Sequence, residues 1–296
     1  MRPRRSPPPR SPADVLPEHY DEMVESITRV RLMVDAAAKA GRRAPRILIA
    51  GERHAVAARL FAMAGADVAT CDLLPTDAPG IPHFQGDMNL ILDMGWDLIL
   101  GHPACTYLAN SGVSAMTADP TRYHDMVEAA AQFRRVMQSK APFVAVENPV
   151  MHRYARQLIG GIRPNQYVQP WQHGTGHQKR TGLFLLGLPE LQPTCVVDGR
   201  ERAMANLSET PERGDLRSRT YVGIAGAMVI QWMPVLLEHL RRHSDLPSPA
   251  SARDMVDRAS LASTTVDSYV VLRSLHKGTP RSVSYTHLTL PTKSTV

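Results

Sequence analysis

Four short apolar runs, separated by turns and helical stretches, constrain the fold of this 296-residue chain more than any other feature. They read RILIA, DVATC, DLIL and PFVAV, at Arg46–Ala50, Asp67–Cys71, Asp97–Leu100 and Pro142–Val146. Runs of this length between turn residues are typical of buried strands, whereas the apolar spacing in 54–64 and 120–139 predicts helices. The alternation predicts an α/β fold with helices on both faces of one sheet.

Chemically active side chains follow the ends of these predicted strands. Cys105 lies just beyond the third run, and Glu147 and Asn148 follow the fourth. In an open α/β sheet, ligands bind beyond the carboxyl ends of the strands, so we expect the thiol and the carboxylate to meet in one active site. Two other interpretations stay open: Cys105 as a small buried hydrophobe, and Glu147 as a cap of the helix that begins near Met151.

The first two runs belong to a strand, turn, helix, strand unit that ends in Asp72. A carboxylate at this tip is suited to accepting hydrogen bonds from ribose hydroxyls, which indicates a nucleoside cofactor. Asp87 follows Gly86 farther along and is a second candidate, for adenine. The turn holds one glycine and no G-x-G-x-x-G pattern, so a dinucleotide is poorly supported. Asp72 could equally be a turn residue before Pro75, and Asp87 a helix N-cap.

Charge and cysteine content limit the classes of partner and compartment. Lys and Arg total 34 against 28 Asp and Glu, and the pI is about 9.4, which is compatible with a polyanionic partner. The three cysteines form no C-x-x-C pair, which disfavours a zinc site or a disulfide framework and favours a reducing cytoplasm. A zinc hydrolase using His173 and His177 is the least favoured alternative, because Gly174 and Gly176 oppose a helix there.

Composition and periodicity also predict segment boundaries. Residues 1–17 are rich in Pro and Arg, lack the apolar segment of a secretory signal and are expected to be disordered, and 18–44 hold a helix. Residues 45–243 form the main domain, with a small β-rich extension at Gln166–Leu188, and 244–282 are a linker and an unassigned segment. Residues 283–296 contain VSYTHLTLPT, which looks like a translated sequencing adapter. We expect no membrane partner, because no apolar run approaches the ~20 residues of a span.

An ordered set of short motifs links these segments to a known family. The motifs are CDLLP, GD at 86–87, HPAC at 102–105, VENP at 146–149 and QKRTG at 178–182. Together they resemble the DNA cytosine-5 methyltransferases, and more closely their compact phage and prophage branch. The resemblance covers about Arg46 to Trp232 and includes RSRTYVGIAGAMVIQW, which is similar to the closing helix near the cofactor. It implies a Rossmann-like S-adenosylmethionine-dependent methyltransferase fold, with S-adenosylmethionine as cofactor and DNA as partner.

The resemblance also implies a role for each matched residue. Cys105 would be the nucleophile, and Glu147 with Asn148 would hold the cytosine. Residues at the ends of the strands, or in the loops that follow them, would bind the cofactor. They are Gly51, Glu52, Asp72, Asp87, His102 and Pro103. A basic motif would stabilise the active loop and a phosphate through Lys179, Arg180 and Thr181.

The residue types suit that chemistry. C5 of cytosine is too weak a nucleophile to attack a methyl sulfonium directly, and addition of a thiolate at C6 makes it enamine-like. Glu147 would hold a proton at N3 and draw electrons from the ring. His102 is a candidate neighbour for lowering the cysteine pKa from its usual ~8.5. A base inside a duplex has to be flipped out, or be single-stranded already.

The chain departs from the family pattern in three places. Ala104 stands where proline precedes the nucleophile, AGERHA replaces the first glycine-rich motif, and the stretch from Arg180 to Arg217 is too short for a full target-recognition domain. Two alternatives therefore stay open. One is a related thiol-dependent pyrimidine-modifying enzyme acting on RNA or a free nucleotide, and the other is a catalytically degenerate DNA-binding or anti-restriction protein. The sequence leaves the target site and the oligomeric state open.

Overall fold

The computed structural model of the protein describes residues 11–112, 119, 121–210, 212–243 and 250–275. Its strands within these ranges are β1 Arg46–Ala50, β2 Asp67–Asp72, β3 His83–Gln85, β4 Leu98–Gly101, β5 Phe143–Pro149, β6 Gln166–Val168 and β7 Thr181–Leu186. They form one sheet in the order β3-β2-β1-β4-β5-β7-β6, with β7 antiparallel to both of its neighbours and the other pairs parallel. The predicted α/β, Rossmann-like fold with one central sheet is confirmed.

Helices cover both faces of the sheet. They are α1 Tyr20–Lys39, α2 Val56–Met63, α3 Cys105–Leu108, α4 Arg122–Met137, α5 Arg153–Leu158, α6 Arg213–Ser218, α7 Val222–Arg242 and α8 Ala252–Leu275. One face packs against α1, α2 and α7, and the other packs against α4, α5 and α8.

The fully apolar character of the central strands follows from this two-sided packing. In β1, Ile47 and Ile49 belong to the core under α1, α2 and α7, whereas Leu48 and Ala50 belong to the core under α4, α5 and α8. Successive side chains of a strand point to opposite faces, so a strand covered on both faces needs apolar residues at every position. The four apolar runs read from the sequence correspond to β1, β2, β4 and β5.

Helix α7 is both long and strongly apolar. By length and composition alone, Arg213–Arg242 could cross a membrane, contrary to the expectation that no run approaches that length. Of its most apolar window, 67% is buried inside the protein, and the helix packs against α1 and α2. Trp232 and Met233 are fully buried there. The apolar length of α7 is therefore explained by core packing.

The expected disorder of residues 1–17 is wrong for residues 11–17. Pro12–Asp14 form a 3₁₀ turn, and the Ser11 hydroxyl donates a hydrogen bond to the Leu216 carbonyl at 2.5 Å. Asp14 pairs with Arg219 at 3.0 Å. These partners lie about 200 positions away in sequence, so local composition carried no sign of them. Residues 1–10 lie outside the described part of the chain.

Two further segment predictions can be compared with the structure. The strands expected in the small β-rich extension at Gln166–Leu188 form as β6 and β7, which are hydrogen-bonded into the main sheet. The segment 244–282 was read as a linker and an unassigned stretch, yet α8 lies within it and buries Met255 and Val256 against the sheet. Residues 244–249 and the suspected adapter 283–296 lie outside the described ranges.

Candidate active site

A cleft of about 770 Å³ lies at the carboxyl ends of the central strands. It brings together most of the residues predicted from the sequence. The predicted residues that line it are Gly51, Asp72, Asp87, His102, Pro103, Cys105, Glu147 and Lys179. Those that do not line it are Glu52, Asn148, Arg180 and Thr181. The expected meeting of thiol, carboxylates and basic residue in one cleft is therefore present.

Cys105 is the first residue of the short helix α3, directly after β4 and its loop. The side chain is partly exposed to the cleft. Burial raises the pKa of the Cys105 thiol, the positive charges of Lys179 and Arg217 lower it, and the negative charge of Glu147 raises it. Burial is the largest of these effects, so the resting side chain is a thiol, and the two cations are the groups that favour the thiolate.

The backbone at Ala104 already has the shape that proline would impose. Its φ is −54°, within the range that a pyrrolidine ring fixes. The backbone at Ala104 therefore has a conformation that proline could also adopt.

Glu147 extends from β5 into the cleft and is 9% exposed. Its Oε2 atom lies 3.5 Å from Nδ1 of His102 and has no closer hydrogen-bond partner among the described residues. The alternative role of Glu147 as a cap is wrong, because His152 caps α5 by accepting from the Ala155 N–H at 3.2 Å. A buried carboxyl group with a free oxygen is available to a ligand.

Glu52 lies behind the cleft and supports its wall. Its Oε1 atom accepts hydrogen bonds from the N–H groups of Val56 and Ala57 at 3.1 and 3.3 Å, which satisfies donors at the start of α2. Burial raises the pKa of Glu52, an effect that the nearby His102 opposes. Glu52 was predicted to contact a cofactor directly, but it does not line the cleft. Its hydrogen bonds instead fix the loop after β1.

Gly51 permits the close approach of the loops after β1 and β4. Its φ is +82°, and a Cβ at this position would lie 2.3 Å from the backbone oxygen of His102. The His102 N–H in turn donates to the Ala50 carbonyl at 2.7 Å. Only glycine fits both the left-handed conformation and this contact.

Asp72 and Asp87 lie at the end of the cleft formed by β2 and the loop after β3. Each uses one oxygen for local structure: Asp72 accepts from the Leu74 N–H, and Asp87 accepts from the Asn89 N–H, both at 2.9 Å. The second oxygen of each carboxylate accepts no hydrogen bond from the described residues. Both the turn role and the ligand role considered for these residues are thus compatible with the geometry.

The three residues of the basic motif are placed differently. Lys179 lines the cleft, and its Nζ donates to the carbonyls of Arg217 and Arg219 at 3.2 and 3.3 Å. Arg180 points elsewhere and stacks on the ring of Tyr167 at 4.0 Å. Thr181 is buried, with its hydroxyl donating to the Lys179 carbonyl, so the predicted nucleic-acid contact by this side chain is wrong.

Three arginines that line the cleft were not among the predicted site residues. Arg213 and Arg217 come from α6, and Arg122 begins α4. Arg213 and Arg217 are four positions apart and so share one face of the helix, a signal that the sequence did contain. Helix α6 is anchored to the loop after β1, where Asp215 lies 3.0 Å from both Arg53 and His54.

Asn148 was predicted to share the site of Glu147, but it does not line the cleft. It is fully buried and lines a second, smaller pocket instead. Its Nδ2 donates to the Pro149 carbonyl at 2.6 Å. Neighbouring strand residues face opposite sides, which explains why Glu147 and Asn148 do not share one site. Within the described residues, no group of three or more His, Cys, Asp and Glu is placed to hold a metal ion.

Comparison with known proteins adds only distant likenesses. No family model and no curated protein matches the chain. Among solved structures, it is similar to MtNAS in complex with MTA and tNA, at 16% identity and a TM-score of 0.31, over 58% of this chain and 62% of that one. It is also similar to the bifunctional kinase-methyltransferase WbdD, at 13% identity and a TM-score of 0.31, over 58% and 43% of the two chains.

A third likeness is to a cyclopropane-fatty-acyl-phospholipid synthase-like protein from Lactobacillus casei. The identity is 15% and the TM-score 0.23, over 54% of this chain and 60% of that one. The chain thus spans less than two thirds of each of these proteins. The function is therefore inferred from the residues of the cleft itself.

Proposed function

We propose that the protein is an S-adenosylmethionine-dependent methyltransferase that acts on C5 of cytosine in DNA through a covalent adduct at Cys105. The observation that carries this proposal is the composition of one cleft. Cys105 and Glu147 line it beside Lys179 and Arg217, Arg122 and Arg213 also line it, and Asp72 and Asp87 line it beyond β2 and β3. A thiol and a carboxyl group beside cations suit a nucleotide, and the two aspartates suit a nucleoside cofactor.

The acidic end of the cleft fits S-adenosylmethionine. Asp72 and Asp87 each have one carboxylate oxygen available to accept from ribose hydroxyls or the adenine amine. Gly51 and Gly86 line the same end, where the absence of a side chain allows a ligand to approach the backbone. When bound, this group supplies an electrophilic methyl on its sulfonium.

The chain's own residues perform the remaining steps. The Cys105 thiolate adds to C6 of the pyrimidine, while Glu147 holds a proton at N3 so that the ring accepts the electron pair. C5 would then take the methyl group, and the electron pair of the broken S–C bond would stay on the sulfur of the bound group, which leaves as a neutral thioether. The C5 proton next leaves to a base, the C5–C6 double bond re-forms and Cys105 departs as thiolate. Lys179 and Arg217, which lower the pKa of Cys105, favour both the attack and the departure.

The basic side chains of the cleft support a nucleic-acid substrate. Arg122, Arg213, Arg217 and Lys179 line it, and such side chains neutralise phosphates along a strand. The described chain between β7 and α6 lacks helix or strand elements, in line with the short interval noted in the sequence. Sequence readout would therefore come from residues in and beside the cleft.

A trapping experiment tests the proposal. A cytosine with fluorine at C5 has no proton to lose after methylation, so the adduct with Cys105 should persist on a denaturing gel in the presence of S-adenosylmethionine. Cys105→Ala should give no adduct and Cys195→Ala should give the normal amount. Parallel arms use DNA, RNA and dCMP carrying the same base. If an adduct forms only with RNA or only with dCMP, that molecule and not DNA is the substrate. If no adduct forms with any of the three, the covalent mechanism is rejected.

A further inference from the structure

A second pocket of about 180 Å³ adjoins the cleft and has no role in the proposed reaction. Pro149 lines both cavities, so they are neighbours at the end of β5. The residues around the smaller pocket are Asn148, Pro149, Met151, Arg156, Ile162, Arg163, Pro164, Tyr167, Gly182 and Phe184. Its volume is below the roughly 300–1,000 Å³ of pockets that enclose a whole ligand, so it suits a single ring system.

The charge around this pocket is uncompensated. Neither Arg156 nor Arg163 forms an ion pair with an acidic side chain in the described part of the protein. Arg180 stacks on the ring of Tyr167, with its Cζ atom 4.0 Å from the ring centroid, and it too lacks an acidic partner there. Guanidinium groups without carboxylate partners are available to bind phosphate.

The inside of the pocket offers a polar and an aromatic contact. Asn148 is fully buried, and its Oδ1 atom has no hydrogen-bond partner among the described residues. Buried amide oxygens are nearly always paired, so this atom is available for a donor supplied by a ligand. Tyr167 is 38% exposed and provides a ring face on which a flat heterocycle can stack.

We propose that this pocket binds an unstacked nucleobase next to the cytosine held in the cleft, with Arg156 and Arg163 on the adjoining phosphates. The inference rests on the proposed nucleic-acid substrate and specifies a second contact site on the same strand. Tyr167 stacks on the base, and the Asn148 Oδ1 accepts from a ring N–H or an exocyclic amine. This contact provides sequence preference without a separate target-recognition domain.

Two pairs of matched variants test the proposal on the full chain. Tyr167 and Tyr154 are both exposed tyrosines with an arginine stacked on the ring, but only Tyr167 lines the pocket. Arg163 and Arg153 are both exposed arginines, but only Arg163 lines it. Fluorescence anisotropy with a labelled single-stranded cytosine-containing oligonucleotide measures the affinity, and thermal unfolding verifies that each variant is folded.

We expect Tyr167→Ala to weaken binding about tenfold, as for the loss of one base–aromatic stack, and Tyr154→Ala to change it less than twofold. Arg163→Gln should reduce the dependence of log affinity on log salt by about 0.7, the value for one phosphate on a single strand, whereas Arg153→Gln should leave it unchanged. An oligonucleotide with an abasic position beside the cytosine should bind wild-type protein about as weakly as the intact oligonucleotide binds Tyr167→Ala. The same abasic position should not weaken binding to Tyr167→Ala any further.

The outcomes separate this inference from the proposed function. Equal effects of Tyr167→Ala and Tyr154→Ala would show a diffuse basic surface and overturn the pocket assignment, while adduct formation at Cys105 would still support the methyltransferase. Wild-type protein that forms an adduct with dCMP but binds no oligonucleotide would reject the nucleic-acid substrate, and this inference with it.

Discussion

The imidazole of His102 lies against the carboxyl group of Glu147, with Nδ1 3.5 Å from Oε2. This contact joins the loop after β4 to the end of β5 at the floor of the cleft. It places a group that can exchange a proton beside the carboxyl group that has to hold one at N3 of the base. The Nε2 atom of His102 is buried without a partner in the described protein, so the ring is held by this contact and by its backbone.

Glu147→Gln should therefore impair the chemical step and leave cofactor binding unchanged. Glutamine keeps the size of the side chain but cannot pass a proton to N3, and such assistance is typically worth ~10²–10⁴-fold in rate. Single-turnover methylation with saturating S-adenosylmethionine measures the step directly, and calorimetry measures the cofactor. A rate within a few-fold of wild type would remove Glu147 from the mechanism.

The cations near Cys105 predict the reactivity of its thiol. Burial raises the thiol pKa above its usual value and Lys179 lowers it, so Lys179→Gln should raise the pKa further. Alkylation below that pKa follows the thiolate fraction and should slow about tenfold for each pH unit of the rise. Peptide mass spectrometry after iodoacetamide treatment at pH 8 resolves Cys105 from the other cysteines.

Lys39→Gln is the matched control for this measurement, because Lys39 is an exposed lysine at the far end of α1. It should leave the alkylation rate of Cys105 unchanged. Faster alkylation in Lys179→Gln would show that the lysine does not favour the thiolate, and the assignment of its role would be wrong.

Gly51→Ala should destabilise the fold and abolish cofactor binding. Alanine at this position combines a strained φ of +82° with a Cβ only 2.3 Å from the His102 oxygen, which forces the two loops apart. Gly160→Ala is the matched control, because Gly160 has a φ of +81° but nothing within 4 Å of the added Cβ. The free energy of unfolding of Gly160→Ala should fall by ~1–3 kcal/mol from backbone strain alone, and this variant should still bind the cofactor. Equal losses in the two variants, measured by urea unfolding, would contradict the steric argument.

Glu52→Gln should change how stability depends on pH. Burial raises the pKa of Glu52 above its usual 4.5, so the folded state holds the proton more tightly than the unfolded chain does. Its contribution to stability is therefore complete below pH 4.5 and is lost as the pH rises through the folded pKa. Relative to Glu52→Gln, the wild type should lose free energy of unfolding as the pH is raised from 4.5 to 8. Glu25→Gln, at an exposed position on α1, is the control and should run parallel to wild type.

The strands, and the edge of the sheet that carries the reactive side chains, could be predicted because both depend on local sequence patterns. Apolar runs of four or five residues specify strands that are buried on both faces, and polar residues at or soon after their ends, such as Asp72 and Glu147, mark the edge where ligands bind. The prediction that Asn148 shares the site of Glu147 was wrong for a reason the sequence also contains, since adjacent residues of a strand face opposite sides.

Contacts between distant parts of the chain could not be predicted in this way. Ser11 with Leu216, and His54 with Asp215, join segments more than 150 positions apart. Nothing in the local sequence of either segment indicates its partner, so the residues before α1 were read as disordered. Three arginines of the cleft were missed for the same reason, although the spacing of Arg213 and Arg217 indicated a common helix face.

Helix α8 has a consequence for the order in which the protein can fold. The start of α8 is hydrogen-bonded to strands from the beginning of the domain sequence. Arg46 of β1 donates to the Ala250 carbonyl, and the Ala252 N–H donates to Asp67 of β2. Met255 and Val256 then cover one face of β1, β2 and β3. During synthesis the first strands leave the ribosome some 200 residues before the helix that shields them. The nascent sheet therefore exposes part of an apolar face until α8 emerges, and transiently exposed apolar surface of this kind makes partly folded chains prone to aggregate.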